Sequence, residues 1–503
     1  MGKHKNRNRS ATITNPETAE LIRVIDKIFE LTVQDVNELS RDLLENFGRI
    51  RTLVERARCL EKKFDEVPVR SETAMRELVD WGIRRGCFVR GIQLRRLKES
   101  TLDEYGVFCT DSLQDSDIFL SVPLDLMLTS DHALERSGSL SPLLRNDAIC
   151  SHMSNVCLSL LLLNELAKNE QSFWHKYISC LPAHYSTILY FNEDEMRLLS
   201  GSATLEEACK LYRSIARQYA YFKKKFLTEP KWRALPAMKI FTYEAYRWAC
   251  STVMTRQNQV PSLTPGRMQT ALIPLWDMCN HDTLRSGTDY DVPSQQLVSF
   301  ATRAYVKDEE VCIFYGNRGN AQFFLHNGFV PQTSNPWDNL PLRLGLSRSD
   351  KLFEIKRRLC EQMKIPISST FELKKNPDGN GVLVPKLLLH LVHVLQWKPE
   401  HSNKSETKAK ASDNRDNMDN NILQENAGTE QVEEEEGVRT KKAISFLQTR
   451  CSLLMKTLPK SEEEIKTILE DSTVSEKTKL ALRYRLSEKH ILELACQKLI
   501  FTM

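Results

Sequence analysis

ALIPLWDMCNHD, residues 271–282, decides how this chain is read, together with IFYG at 313–316. An apolar run carries straight into Trp276-Asp277 and then Asn280-His281. Asp, Asn and His each need hydrogen-bond partners when water is excluded, so their place in such a run implies a polar network or a polar ligand beside them. Either dipeptide alone, Asn-His or Tyr-Gly, has an ordinary structural explanation: polar residues closing a turn and a tyrosine at a strand end. Order and context argue against it. TYEAYRWACSTVMTRQNQVP at 242–261 precedes the first motif, and GNRGNAQFFLHNGF at 316–329 follows the second.

The paired motifs resemble those of SET-domain methyltransferases, in which an Asn-His segment threads beneath a second segment ending in Tyr-Gly. The flanking segments resemble the branch related to the plant Rubisco large-subunit methyltransferase. Within that branch the likeness is to the actin-histidine N-methyltransferases, and it runs from about residue 45 to the end, strongest between Phe173 and Phe329. The resemblance implies an α+β fold: a SET domain of small β-sheets with a pseudoknot, a large helical insertion, and an all-α C-terminal substrate-binding domain. It implies S-adenosyl-L-methionine as cofactor and methylation of a protein histidine, that of actin.

The same resemblance assigns residues. Cofactor contacts fall to Arg70, to the loop Asp103-Glu104-Tyr105-Gly106, to Arg256, to Asp277, Met278, Cys279, Asn280 and His281, and to the Asn327-Gly328-Phe329 turn. A guanidinium such as Arg256 offers fixed paired donors for the cofactor carboxylate. Tyr315 and Asn258 carry the catalytic roles. The acceptor wall is Asn258, Trp276, Ile313 and Tyr315, while Arg217 and Arg318 correspond to peptide-gripping positions. An amide at 258 can hydrogen-bond one imidazole nitrogen and leave the lone pair of the other for the methyl. A lysine channel would instead need Phe or Tyr walls. One departure stands out: where the family has a Gly-aromatic-Gly turn, Glu104 replaces the first glycine, with less conformational freedom and an added charge. Lysine methylation, and a catalytically silent SET-like adaptor that grips a partner without turnover, are the alternative readings. The Glu104 substitution favours the adaptor.

Composition agrees with a soluble intracellular enzyme. The chain has 503 residues, 41% hydrophobic and 27% charged, enough for two or three domains. Its 70 Lys and Arg against 66 Asp and Glu leave a net charge of only +4, which gives no reason to expect nucleic acid. The apolar run Leu160–Leu163 is far too short for a bilayer, so no membrane anchor is expected. Thirteen cysteines without close C-x-x-C spacing read as small buried hydrophobes in a reducing compartment, not as zinc or disulfide sites. His390 and His393 share a helix face but have no third ligand nearby, so no metal is expected. A cytoplasmic monomer is the expectation, with the nucleus as an alternative location.

Along the chain, residues 1–18 read as a disordered basic tail and 19–86 as a helical region. Residues 87–330 read as the SET domain, with β-prone runs at 87–97, 105–110 and 117–123 and a helical insertion at about 142–256. Strand character returns in QQLVSFAT and EEVCIFYG. Two helix starts are marked by Asn192 with Glu195 and by Ser461 with Glu464. Residues 331–503 read as helical, interrupted by a polar loop at about 398–437 too poor in apolar residues to order itself.

Overall fold

In the computed structural model the chain divides into two compact units. The described residues are 16–33, 43–65, 67, 69–97, 104–283, 285–332, 334–398 and 429–501, with side chains from 437 onward in the last span. Residues 1–15 of the N-terminal tail, 399–428 of the 398–437 loop, and Asp103 lie outside them; the end of that expected loop, 429–437, is instead the start of the helix Thr429–Met455.

The first unit comprises Met1–Arg197, Glu206–Asn317 and Gln322–Phe329. Helices Pro16–Val33, Leu43–Leu60 and Glu72–Arg84 form the region read as helical. The β-prone runs then become short antiparallel sheets. Ile92–Arg96 pairs with Tyr105–Cys109. A second sheet runs in the order Phe88–Val89, Ile118–Pro123, Gln296–Phe300, Thr288–Asp291. In a third, Met268–Leu272 lies between Leu128–Thr129 and Asn258–Pro261.

Helices fill the chain between Thr129 and Asn258, starting at Ser130, somewhat earlier than the 142 read from sequence. The central one, Ser154–Lys168, is buried at every position from Val156 to Leu166. That explains its unbroken apolar run: a helix surrounded by protein has no solvent face to keep polar. Each of Leu160, Leu161, Leu162 and Leu163 is at most 1% exposed, worth roughly 1.5–3 kcal/mol of burial apiece. Asn192 and Glu195 cap one another reciprocally, as their spacing predicts.

The helix Tyr243–Arg256 sets up the site. Thr242 starts it by accepting from the Ala245 backbone N–H. It ends as the chain turns extended at Gln257 and enters the strand at Asn258. Arg256 and Asn258 therefore stand at a helix end and a strand start, two residues apart.

The second unit comprises Leu198–Leu205, Arg318–Ala321 and Val330–Met503. Its helices are Phe353–Gln362, Lys386–Gln396, Thr429–Met455, Glu462–Glu470 and Glu476–Gln497. The Ser461 and Glu464 capping box forms as read. The unit is mostly helical, but it is not all-α. Strands Asn339–Gly345, Ser368–Lys375, Val382–Val384 and Leu499–Phe501 make a four-stranded sheet with the last pair parallel. Leu340, Leu342, Phe371, Leu373, Val382 and Val384 turn one face of it into the core with Leu388, Leu391 and Leu492. His390 and His393 lie half-buried on Lys386–Gln396.

Candidate active site

The strand Met268–Leu272 delivers the chain to Leu275, whose φ of 66° is rare for a non-glycine residue. A tight 3-10 turn, Trp276–Met278, follows at once. Trp276 is buried and donates from its indole to Thr288 Oγ1 at 3.1 Å. The next residues then run alongside the second motif: Ile313 N–H donates to Asn280 O at 2.9 Å, and Asp282 N–H donates to Ile313 O at 3.2 Å. His281 and Ile313 form a parallel bridge. The Asn-His and Tyr-Gly segments are thus physically adjacent. The expected strand over 309–316 is not one, however, because only isolated bridges tie this segment to its neighbours.

Asp277 is the electrostatic centre. Its Oδ2 accepts from the Tyr177 hydroxyl, and its Oδ1 lies 3.4 Å from Arg256 Nη1, which also donates to the Asp277 backbone carbonyl. Burial pushes the Asp277 carboxyl up to about 6, although the Arg256 charge and the Tyr177 hydrogen bond both work against that rise. Arg256 is half-buried, and its desolvation opposes its charge, yet Asp277 and the tyrosines around it hold its pKa above the ordinary value. The directions are consistent: the pair attracts, but desolvating a carboxylate costs more than one guanidinium returns. Arg256 Nε is buried without a protein hydrogen bond.

Around this centre lie the other cofactor candidates. Arg70 Nε donates to Cys180 O at 2.8 Å, and its guanidinium sits 5.7 Å from the Tyr105 ring centroid. Asn280 Nδ2 donates to Glu310 Oε1 at 2.7 Å and to Tyr105 O at 3.3 Å. Gly106 lies so close that an added Cβ would overlap that Glu310 oxygen, so a side chain here would have to displace the Glu310 carboxylate. Glu104 is exposed, and its backbone carbonyl accepts from Leu97 N–H at 2.9 Å. The His281 ring is 4.7 Å from that of Phe323, 5.1 Å from Tyr315 and 6.1 Å from Phe329, and Tyr315 N–H donates to its Nδ1 at 3.3 Å. Phe323–Asn327 is a π-helical turn, ended by Gly328 at φ 76°. Asn327 Nδ2 donates to Thr255 O at 3.2 Å, tying this turn to the end of the Arg256 helix.

The acceptor candidates divide. Tyr315 donates its hydroxyl proton to Cys279 O at 2.8 Å, and burial raises its pKa despite the opposing Arg256 charge. Ile313 is buried. Asn258 is half-buried in the strand paired with Ala271, and no hydrogen-bond partner for its amide lies among the described residues. Arg217 is exposed on the helix Thr204–Thr228. Arg318 belongs to the second unit, where its carbonyl accepts from Asn335 Nδ2 at 2.8 Å. Three participants escaped the sequence: Tyr177, Glu310 and Phe323. Only Glu310 had a local signal, as the second acid of EEVCIFYG.

A family model described as Rubisco LSMT substrate-binding matches residues 347–492. Among solved structures, the SET domain of LSMT bound to lysine and AdoHcy superposes with a TM-score of 0.62 at 16% identity, covering 84% of this chain and 90% of that one. Rubisco LSMT bound to AdoMet gives 0.59 at 17% identity, with the same coverage. The fold and its C-terminal region are those of a SET-domain methyltransferase of the Rubisco LSMT class. At closer range, the actin-histidine N-methyltransferase of Papio anubis is 36% identical over 455 residues, 90% of this chain and 72% of the relative. The human enzyme of that name is 35% identical over 455 residues, with 90% and 73% covered. This chain belongs to the actin-histidine N-methyltransferase family.

Proposed function

We propose that this chain is an S-adenosylmethionine-dependent protein-histidine N-methyltransferase and that its acceptor is a histidine of actin. The identity of 36% across 90% of the chain to proteins of that name carries the reading. The donor set suits the cofactor. Arg70, and Arg256 with its unpartnered buried Nε, match a carboxylate; the rings of His281, Phe323 and Phe329 match a purine. When bound, S-adenosylmethionine supplies an electrophilic methyl group on a cationic sulfur.

What the chain adds is placement, since an in-line displacement needs alignment more than covalent help. Tyr315 has committed its proton to Cys279 O, so its oxygen offers lone pairs, not a proton, to whatever approaches. The Asn258 amide, without a protein partner among the described residues, is available to hold one nitrogen of an imidazole and fix its tautomer. The other nitrogen then presents its lone pair. That lone pair would face the methyl group the cofactor supplies, and the methylated ring would shed its other nitrogen's proton to solvent. Trp276 and Ile313, both buried, give the slot apolar walls.

Actin incubated with the full chain and labelled S-adenosylmethionine, then mapped by fragmentation, tests the reading. Label on a histidine ring is the expected result. Label on lysine, or none, would refute it.

A further inference from the structure

Trp276 is one wall of the proposed acceptor slot, and its backbone is held on both sides. Its N–H donates to Pro274 O at 2.8 Å, its carbonyl accepts from Cys279 N–H at 3.1 Å, and the Asp277 N–H beside it donates to Ile273 O at 3.0 Å. Those bonds fix where the side chain starts. They do not fix where the ring points, because χ1 has its staggered wells and χ2 a broad one. An indole carries a single polar hydrogen, so one acceptor suffices to choose among the orientations. Here that acceptor is Thr288 Oγ1, 3.1 Å from the indole nitrogen.

Thr288 is held in its turn. It opens the strand Thr288–Asp291 and stands directly opposite Ser299, on the interior strand Gln296–Phe300 of the same sheet. The two hydroxyl oxygens are 3.2 Å apart, and Ser299 is fully buried. An indole can only donate, so Thr288 Oγ1 accepts from Trp276 and has its own proton left for Ser299 Oγ. The residue before Thr288 seats the strand end closely: Gly287 O accepts from Phe300 N–H at 2.8 Å, and a Cβ at Gly287 would stand 2.6 Å from Phe300 O. Branching at Cβ further restricts the Thr288 rotamer. A chain of hydrogen bonds thus runs from the interior of a sheet, through two hydroxyls, to the ring that lines the slot.

We propose that Thr288 is a positioning residue for the acceptor: backed by Ser299, it locks the orientation of the Trp276 ring and so keeps the slot shaped for the incoming imidazole. This rests on the acceptor reading above, in which Trp276 is a slot wall. Thr288→Val keeps the branched shape but removes the hydroxyl, leaving the buried indole N–H without its acceptor. Thr288→Ser keeps the hydroxyl.

The test uses the full chain as wild type, Thr288→Val, Thr288→Ser and Ser299→Ala, with S-adenosylmethionine and the actin peptide whose histidine takes the label. Peptide KM and kcat are measured alongside cofactor affinity by calorimetry. In the Val variant peptide KM should rise by about fivefold or more, the effect of one lost orienting hydrogen bond, with cofactor affinity unchanged. The Ser variant should restore the wild-type KM, and Ser299→Ala should fall between. A residue that merely stabilises the fold would remove active protein, lowering kcat at an unchanged KM; that result overturns the inference and leaves the acceptor reading standing, as does a Val variant with wild-type constants or a Ser variant no better than Val. Should the Val variant fail to fold and bind cofactor, Ser299→Ala decides, and a wild-type peptide KM there overturns the proposal equally. A wild type that puts no methyl on the histidine overturns both readings.

Discussion

Removing one hydroxyl from Tyr177 should change how the stability of this protein depends on pH. Tyr177 is fully buried and donates to Asp277 Oδ2, while Asp277 is 7% exposed and its carboxyl is pushed up to about 6. Unfolded, the same carboxyl titrates near about 4. The folded state thus holds a proton more tightly than the unfolded state, and folding takes up protons between those values. By linkage the contribution of Asp277 to stability is largest below about pH 4, declines as pH rises toward 6, and is flat above that. At neutral pH the carboxylate is ionised at a cost of about 3 kcal/mol, from two units at 1.36 kcal/mol each. In Tyr177→Phe the carboxylate loses a hydrogen bond worth about 1.5–3 kcal/mol when the acceptor is charged, which raises its folded pKa by one to two units more. The variant should be destabilised by about 1.5–3 kcal/mol at pH 8 and by about 1 kcal/mol at pH 5, where the carboxyl is protonated in both proteins. Denaturant unfolding at several pH values gives both curves, and their difference cancels every group the mutation does not touch. A difference that is flat from pH 5 to 8 would refute the reasoning, as would one larger in acid.

Two further substitutions probe the site from other sides. Gly328→Ala forces a side chain into a left-handed φ of 76° and puts a Cβ 3.2 Å from Thr187 N; a loss of about 1–3 kcal/mol in denaturant unfolding is expected, and an unchanged midpoint would mean the π-helical turn relaxes freely. Asn258→Ala should cut transfer to a histidine peptide by roughly tenfold, the worth of one orienting hydrogen bond, with cofactor affinity by calorimetry unaltered; full activity would remove Asn258 from the acceptor pocket.

Much of this site was legible because its signals are local. The Asn280-His281 and Tyr315-Gly316 dipeptides, their flanks, and the Asn192 and Ser461 helix starts each sit within a few residues of what they specify. The pairing of Ile313 with Asn280 and Asp282 could be anticipated only through resemblance, since nothing local tells one extended segment which other it will meet. Tyr177 shows the limit most clearly. It lies 100 residues from Asp277, inside a four-residue helix, and a tyrosine there reads as one more core aromatic until the fold turns it toward a carboxylate.

The missed sheet in the second unit has a different cause. Leu340, Leu342 and Leu344 alternate as a strand should, but Pro341 breaks the donor pattern, and strands with an internal proline are ordinarily discounted. Here Pro341 opposes Glu372 in the antiparallel pair with Ser368–Lys375. Asn339–Gly345 is an end strand of the sheet, so a missing N–H on its outer side costs no ladder bond. Its closing strand, Leu499–Phe501, lies parallel to Val382–Val384 from more than a hundred residues away. Helical periodicity dominates the intervening sequence and hides both edges. The same logic covers Glu310: its acidity was visible, but its place depends on Gly106 having no side chain and on Asn280 arriving from beyond the Trp276–Met278 turn.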